Sequence, residues 1–155
     1  MASTPLTTAA AIGGGILPLT VGTAFMLRPA LSGRIFHLDS FTSPTEQAVA
    51  DSYTLLIGGR ELAFGLLFAV IWHRSRSSGS SPEVRAVARE MLGWATLIAG
   101  TVPVTDVVAV TFARSAGLVT APWLSAEGSF TALVPAFVWV GAKLLGWVGG
   151  KAKSV

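Results

Sequence analysis

The chain has 155 residues, of which 52% are hydrophobic and 12% are charged, and its mean hydropathy is +0.65. Soluble domains carry about 25% charged residues, so this composition indicates an integral membrane protein. The net charge of +3 comes from cations at the ends of apolar runs, which is typical of membrane flanks rather than of nucleic-acid binding. The absence of cysteine excludes disulfides, thiolate nucleophiles and thiolate metal sites.

Four apolar runs are long enough to cross a bilayer, which requires about 20 residues per helix. We therefore predict one all-α membrane domain over residues 1–155, folded as a bundle of four transmembrane helices. The first run is interpreted as a retained helix, because the N-terminus lacks the basic residues that open a secretory signal. The predicted spans are about 9–28, 46–73, 90–113 and 125–147.

The first span carries small residues at helical spacing. Gly15, Pro18, Gly22 and Phe25 fall three and four residues apart and share one face. Small residues on one face allow membrane helices to approach closely, so this face is predicted to pack against a neighbour. Pro18 is predicted to bend the helix, because it cannot donate a backbone hydrogen bond.

The second span is the most unusual stretch, because it carries ionisable residues inside an apolar run. Charged groups at membrane depth are costly and indicate function by default. Residues on one stripe are small or polar, and two further polar residues lie together on an adjacent strip. The stripe is Asp51, Thr54, Gly58, Glu61 and Gly65, and the adjacent strip is Tyr53 and Arg60.

Cations surround the connection after the second span and also follow the fourth span. Lys and Arg mark cytosolic flanks, so this pattern places both termini in the cytosol. The polar residues then gather in the non-cytosolic half of the bundle. We expect them to form a cavity whose floor is Arg60 and Glu61, with Arg60 paired to Asp106 of the third span. Two more polar residues, His37 and Glu127, are expected near its mouth.

Carboxylates beside a guanidinium suit general acid–base catalysis, because their environments push their proton affinities apart. Neither a metal-ligand spacing nor a phosphate-binding glycine loop occurs, and His37 and His73 are expected on opposite membrane faces. We therefore expect no metal and no cofactor. Proton-driven chemistry on an apolar substrate fits these residues, and epoxide opening, isomerisation and cyclisation need the same groups.

The segment Asp51-Ser52-Tyr53, followed by Gly58-Gly59-Arg60-Glu61 and Gly65 in a four-span chain, resembles a fungal family of small integral-membrane proteins. That family is catalogued mostly as a domain of unknown function, and its members occur beside secondary-metabolite genes. The resemblance extends to hydrolases of polyene α-pyrone pathways of the aurovertin and citreoviridin type, which open polyene epoxides. It implies that Asp51, Arg60 and Glu61 are motif positions, and topology alone adds Asp106.

The resulting hypothesis is a cofactor-independent epoxide hydrolase or cyclase acting on a lipophilic polyketide or terpenoid in the endoplasmic reticulum membrane. One alternative is an isomerase or cyclase with a non-epoxide substrate, and another is a non-catalytic membrane binder or pathway scaffold. Beyond the substrate and lipid, this hypothesis allows other pathway enzymes or a second copy of the chain as partners, but no nucleic acid. The candidate catalytic residues are Asp51 and Glu61 as the acid and the base, Arg60 as the residue that orients a carboxylate, and Asp106 as an additional carboxylate. The candidate substrate-binding residues are Tyr53, Thr54, His37 and Glu127.

Overall fold

The computed structural model describes residues 4–32, 43–115 and 132–149, and over these ranges the chain is helical without any strand. The first span contains a π-helical segment between two α-helices, and the longest helix forms the second span. The elements are α1 (Thr4–Ala11), the π segment (Ile12–Ile16), α2 (Leu17–Leu27), α3 (Pro29–Ser32), α4 (Pro44–Arg76), α5 (Pro82–Ala99), α6 (Val102–Ser115) and α7 (Val134–Leu144).

Three helical stretches are long and apolar enough to cross a membrane, namely Pro5–Leu27, Pro44–Arg76 and Pro82–Ala109. Large apolar side chains cover their outer surfaces. Leu56 is 73% exposed and Val70 is 61% exposed, as expected for side chains that face lipid. The fourth predicted span begins outside the described residues. Its described part is α7, whose 11 residues reach only about 16 Å.

The π segment has a local cause in the sequence. Pro18 has no backbone N–H, and its ring would clash with the carbonyl of Gly14 in a regular α-helix. One wider turn relieves this clash, and the N–H of Leu17 accordingly bonds the carbonyl of Ile12, five residues back. The bend predicted from Pro18 is thus absorbed by a π turn just before the proline.

Helix α4 crosses the first span so closely that glycine is required on both sides. A Cβ atom on Gly22 would lie 2.7 Å from the backbone nitrogen of Leu62, and one on Gly58 would lie 2.8 Å from Cβ of Phe25. One on Gly65 would lie 2.9 Å from the carbonyl oxygen of Gly15. The predicted packing role of these small residues is confirmed.

On its other side α4 packs against α5, and α5 packs against α7. Phe68 and Leu92 are fully buried in the core between them. Helix α6 packs loosely against the other described helices. The chain turns away after α5 because Gly100 and Thr101 donate backbone hydrogen bonds in tight turns to Leu97 and Ile98.

The helix boundaries differ from the prediction at three places. Helix α5 begins at Pro82 rather than near 90, because Ser81 caps it by accepting a 3.3 Å hydrogen bond from the backbone of Val84. Two turn residues at 100–101 interrupt the third predicted span between α5 and α6. Helix α7 ends at Leu144, because Gly146 adopts a positive φ of 76° and reverses the chain.

The close crossing predicts a position-specific effect of alanine. We expect Gly22→Ala to lower the free energy of unfolding by about 1–3 kcal/mol, because the added methyl group meets backbone atoms that cannot move independently. The matched control is Gly59→Ala, since a Cβ at Gly59 meets nothing within 4 Å. Thermal unfolding of both variants in detergent micelles measures the difference, and equal stabilities would contradict this packing.

Candidate active site

A cavity of about 130 Å³ lies between the first span, α4, the α5–α6 break and the start of α7. Its walls are mainly apolar, with aromatic rings from Phe25, Phe64 and Phe137. Three charged side chains interrupt this lining, and they form one connected group that we call the ion cluster. The ion cluster consists of Arg60, Glu61 and Asp106.

The guanidinium of Arg60 binds both carboxylates of the ion cluster at once. Its Nη1 and Nη2 atoms donate to Oδ1 and Oδ2 of Asp106 at 3.1 and 3.2 Å, which is a two-point bond between helices α4 and α6. Its Nε and Nη2 atoms donate to Oε1 of Glu61 at 3.2 and 2.9 Å. The predicted pairing of Arg60 with Asp106 is confirmed, and Glu61 is a second partner.

Two hydrogen-bonding positions remain open to a ligand. Arg60 has five N–H groups, and the four bonds to the carboxylates leave one N–H on Nη1 without a partner among the described residues. Glu61 binds Arg60 through Oε1 alone, and its Oε2 accepts no hydrogen bond from any described residue. The cluster therefore lines an apolar cavity with one remaining N–H donor and with an oxygen, Oε2 of Glu61, that accepts no bond from the described residues.

In a membrane-spanning α4 the ion cluster would lie well inside the hydrocarbon layer. Arg60 is the middle residue of α4, whose 33 residues carry charged groups at both ends, including Glu46 and Arg74. A hydrocarbon layer of about 30 Å that excludes both charged ends must contain Arg60, about 9 Å or more from either edge. Charges at that depth need partners, and the pairing supplies them.

Cluster formation depends on the way that α6 enters the bundle. Asp106 lies one turn after Pro103, on the helix that follows the break at 100–101. Its side chain is 31% exposed and that of Arg60 is 33% exposed, whereas that of Glu61 is only 17% exposed. Because α6 packs loosely elsewhere, the bond to Arg60 is its main polar attachment to α4 within the described residues.

The other predicted site residues on α4 lie away from the cavity. Asp51 accepts a 2.8 Å hydrogen bond from Gln47 on its own helix, and nine residues, or about 13 Å, separate it from Arg60. Tyr53 is 48% exposed on the outer surface. Thr54 is fully buried and donates to the carbonyl of Ala50 at 2.9 Å. His37 and Glu127 lie outside the described residues.

The cavity also extends further than the sequence suggested. Arg60 and Glu61 were expected to form its floor, but the lining continues past them to Gly13 and Phe137, near the α5–α6 break. The signal that could have indicated this was the proline–glycine pattern, Gly13 to Pro18, which produces the π segment; π turns occur frequently at functional sites. Among the described residues, no group of histidine and acidic side chains is arranged to hold a metal ion.

The ion cluster predicts strongly coupled mutations. Arg60→Met should destabilise the protein by about 3–5 kcal/mol, because it leaves two carboxylates half-buried without their cation. Adding Asp106→Leu should recover part of that loss by removing one of them, giving a coupling energy of about 0.5–3 kcal/mol. Denaturant unfolding in micelles measures the cycle, with Arg74→Met at the exposed end of α4 as control. Strictly additive effects would show that the pair has no energetic role.

Comparison with known proteins gives one match. The model of the family described as domain of unknown function DUF4267 matches residues 15–146, which include all of the ion cluster and all of the cavity lining except Gly13 and Gly14. No curated protein and no solved structure matches the chain. Because the family model covers most of the sequence, this chain belongs to the DUF4267 family.

Proposed function

We propose that this protein is a cofactor-independent membrane enzyme that opens an epoxide in a lipophilic polyketide or terpenoid, by hydrolysis or by cyclisation. The observation that carries the proposal is the ion cluster, which lines an apolar cavity with an N–H donor of Arg60 and the Oε2 acceptor of Glu61 that have no partner among the described residues. An apolar substrate with a single reactive oxygen function matches such a site.

Glu61 acts as the proton carrier in this proposal. Oε2 of Glu61 removes a proton from water, or from a hydroxyl of the substrate. As it does so, the oxygen of that water or hydroxyl attacks one carbon of the epoxide. The bond from this carbon to the epoxide oxygen breaks, and its electron pair stays on the oxygen. Glu61 then donates the proton to the former epoxide oxygen. The carboxylate is thereby regenerated, and no other reactant is consumed.

Arg60 stabilises the oxygen on which negative charge develops. The Nη1–H that has no partner among the described residues is the donor available to the epoxide oxygen, and a fixed donor is most effective where water is excluded. Asp106 is the positioning residue, because its two-point bond fixes the plane of the guanidinium. Isomerisation or cyclisation of a non-epoxide substrate uses the same proton transfer, and the products distinguish these reactions.

Asp51 has no part in this mechanism, since it does not line the cavity. The sequence-based hypothesis paired Asp51 with Glu61 as acid and base, and the geometry instead favours Glu61 alone. Asp51→Asn distinguishes these two versions of the mechanism. Loss of turnover in a folded Asp51→Asn protein would favour the mechanism in which Asp51 and Glu61 act together as acid and base.

We extend the proposal to the whole chain as a four-span bundle in the endoplasmic reticulum membrane, with both termini in the cytosol. Support comes from three long apolar helices, the apolar α7 and the cations that follow α4. A fungal secondary-metabolite pathway is the proposed setting, with a lipophilic intermediate as substrate and neighbouring pathway enzymes as protein partners.

Glu61→Gln tests the catalytic proposal. We expect turnover to fall by about a hundredfold or more, because glutamine keeps the shape but cannot carry the proton. The matched control is Glu90→Gln, an exposed position on α5. Metabolite profiles of a host that expresses each variant with the pathway's epoxidising enzymes measure the effect. Unchanged profiles in both variants, with equal protein levels, would refute the catalytic role.

Topology is testable because the chain contains no asparagine and hence no natural N-glycosylation acceptor. An acceptor in a flexible insert within residues 33–42 should be glycosylated, whereas the same insert within residues 77–81 should not be. Glycosidase-sensitive mass shifts measure both. Glycosylation of the second insert alone would reverse the proposed orientation.

A further inference from the structure

The cavity continues past the ion cluster as an apolar arm. Contacts between the first span and α4 fix the register, since Gly22 lies opposite Leu62 and Gly14 lies opposite Phe68. The ion cluster is therefore level with Gly22. Gly13 is nine residues before Gly22, so the arm reaches about 13 Å along the first span from the level of the charges.

Gly13 is the lining residue farthest along the first span from the ion cluster, and we call it, together with the lining residues Phe137 and Ala99, the end wall of the arm. A Cβ on Gly13 would lie 3.7 Å from the ring of Phe137, which is an ordinary van der Waals contact, so a side chain on this lining residue would meet no backbone atom within 4 Å. Its neighbour behaves differently, since a Cβ on Gly14 would overlap the ring of Phe68. Gly14 is required by packing, whereas Gly13 leaves volume free.

Between the ion cluster and this end wall the lining is apolar, with Leu17, Pro18 and Phe64 as its main side chains. A hydroxyl or amide placed in the arm would lose its hydrogen bonds to water and would find no polar side chain among the described residues of this part of the lining, which is unfavourable. The arm therefore favours a slender apolar chain without polar substituents.

From this geometry we infer that Gly13 sets the depth of the substrate pocket, and that the substrate lies with an apolar tail toward Gly13 and its reacting oxygen at Arg60 and Glu61. This orientation rests on the proposed function, because that function places the reacting oxygen at the ion cluster. Gly13 is thus a specificity-determining residue, whose missing side chain admits the end of the tail.

Photolabelling tests the inference without any turnover. The probe is a long-chain fatty alcohol with a diazirine at its terminal carbon, added to the full-length protein in lipid nanodiscs. After irradiation, mass spectrometry locates the label. We expect wild-type labelling around Gly13 and Phe137, and a decrease of about tenfold or more in Gly13→Val, because added methyl groups occupy the end of the arm.

Two further variants keep this test decisive. Gly59→Val adds the same side chain where a Cβ meets nothing within 4 Å, and its labelling should match the wild type. Ala99→Leu fills the arm from the opposite wall and should reproduce the loss if Gly13→Val fails to fold. A short-chain alcohol with the same diazirine should label all variants equally. Wild-type labelling in both filled variants, or label only on lipid-facing residues, would overturn the inference.

The outcome is separable from that of the proposed function. Chain-length-dependent labelling that is lost in the filled variants, together with no epoxide turnover, would support the pocket depth and refute the proposed reaction. Normal epoxide turnover, together with labelling that is unchanged in Gly13→Val and Ala99→Leu, would refute the inference that Gly13 sets the pocket depth. The proposed reaction would still stand.

Discussion

A guanidinium inside the hydrocarbon layer is the constraint on which the rest of this structure depends. Arg60 cannot remain charged there without partners, and it has two, one on its own helix and one on α6. The bond to Asp106 holds a loosely packed helix against α4 and, in doing so, forms one wall of the cavity. With one cation and two carboxylates, the ionised cluster carries one excess negative charge. In the proposed chemistry, Glu61 uses this excess negative charge to accept a proton.

Small residues make this arrangement possible. Gly22, Gly58 and Gly65 bring α4 against the first span at distances that no side chain allows, and the π segment before Pro18 turns the wall of the first span toward the cavity. The glycines pack closely against the first span, while Glu61, on the same stripe, and Arg60, on the adjacent strip, line the cavity. Packing and site are therefore two consequences of one helix that carries small and charged residues close together.

Much of this was predictable from the sequence, because membrane helices obey simple rules of length and periodicity. Composition indicated the helical membrane class, the spacing of Gly15 and Gly22 indicated a packing face on the first span, and antiparallel spans brought Asp106 to the side of the membrane where Arg60 was expected. Asp51 and Thr54 show where periodicity is insufficient. They share a stripe with Glu61, yet Asp51 lies ten residues before Glu61 and does not line the cavity, and Thr54 is buried in helix packing. The apolar arm was also not predictable, since empty volume beside Gly13 depends on how three other helices pack.

The most direct test of the central claim is an assay of the purified protein in nanodiscs, with a lipophilic epoxide and isotopically labelled water. The account predicts that the wild-type protein forms a diol containing one labelled oxygen, or a cyclic ether without label when a substrate hydroxyl attacks. Glu61→Gln should form neither product at a comparable rate while remaining folded. Turnover by Glu61→Gln at the wild-type rate would show that the ion cluster is a structural element and not the catalytic site.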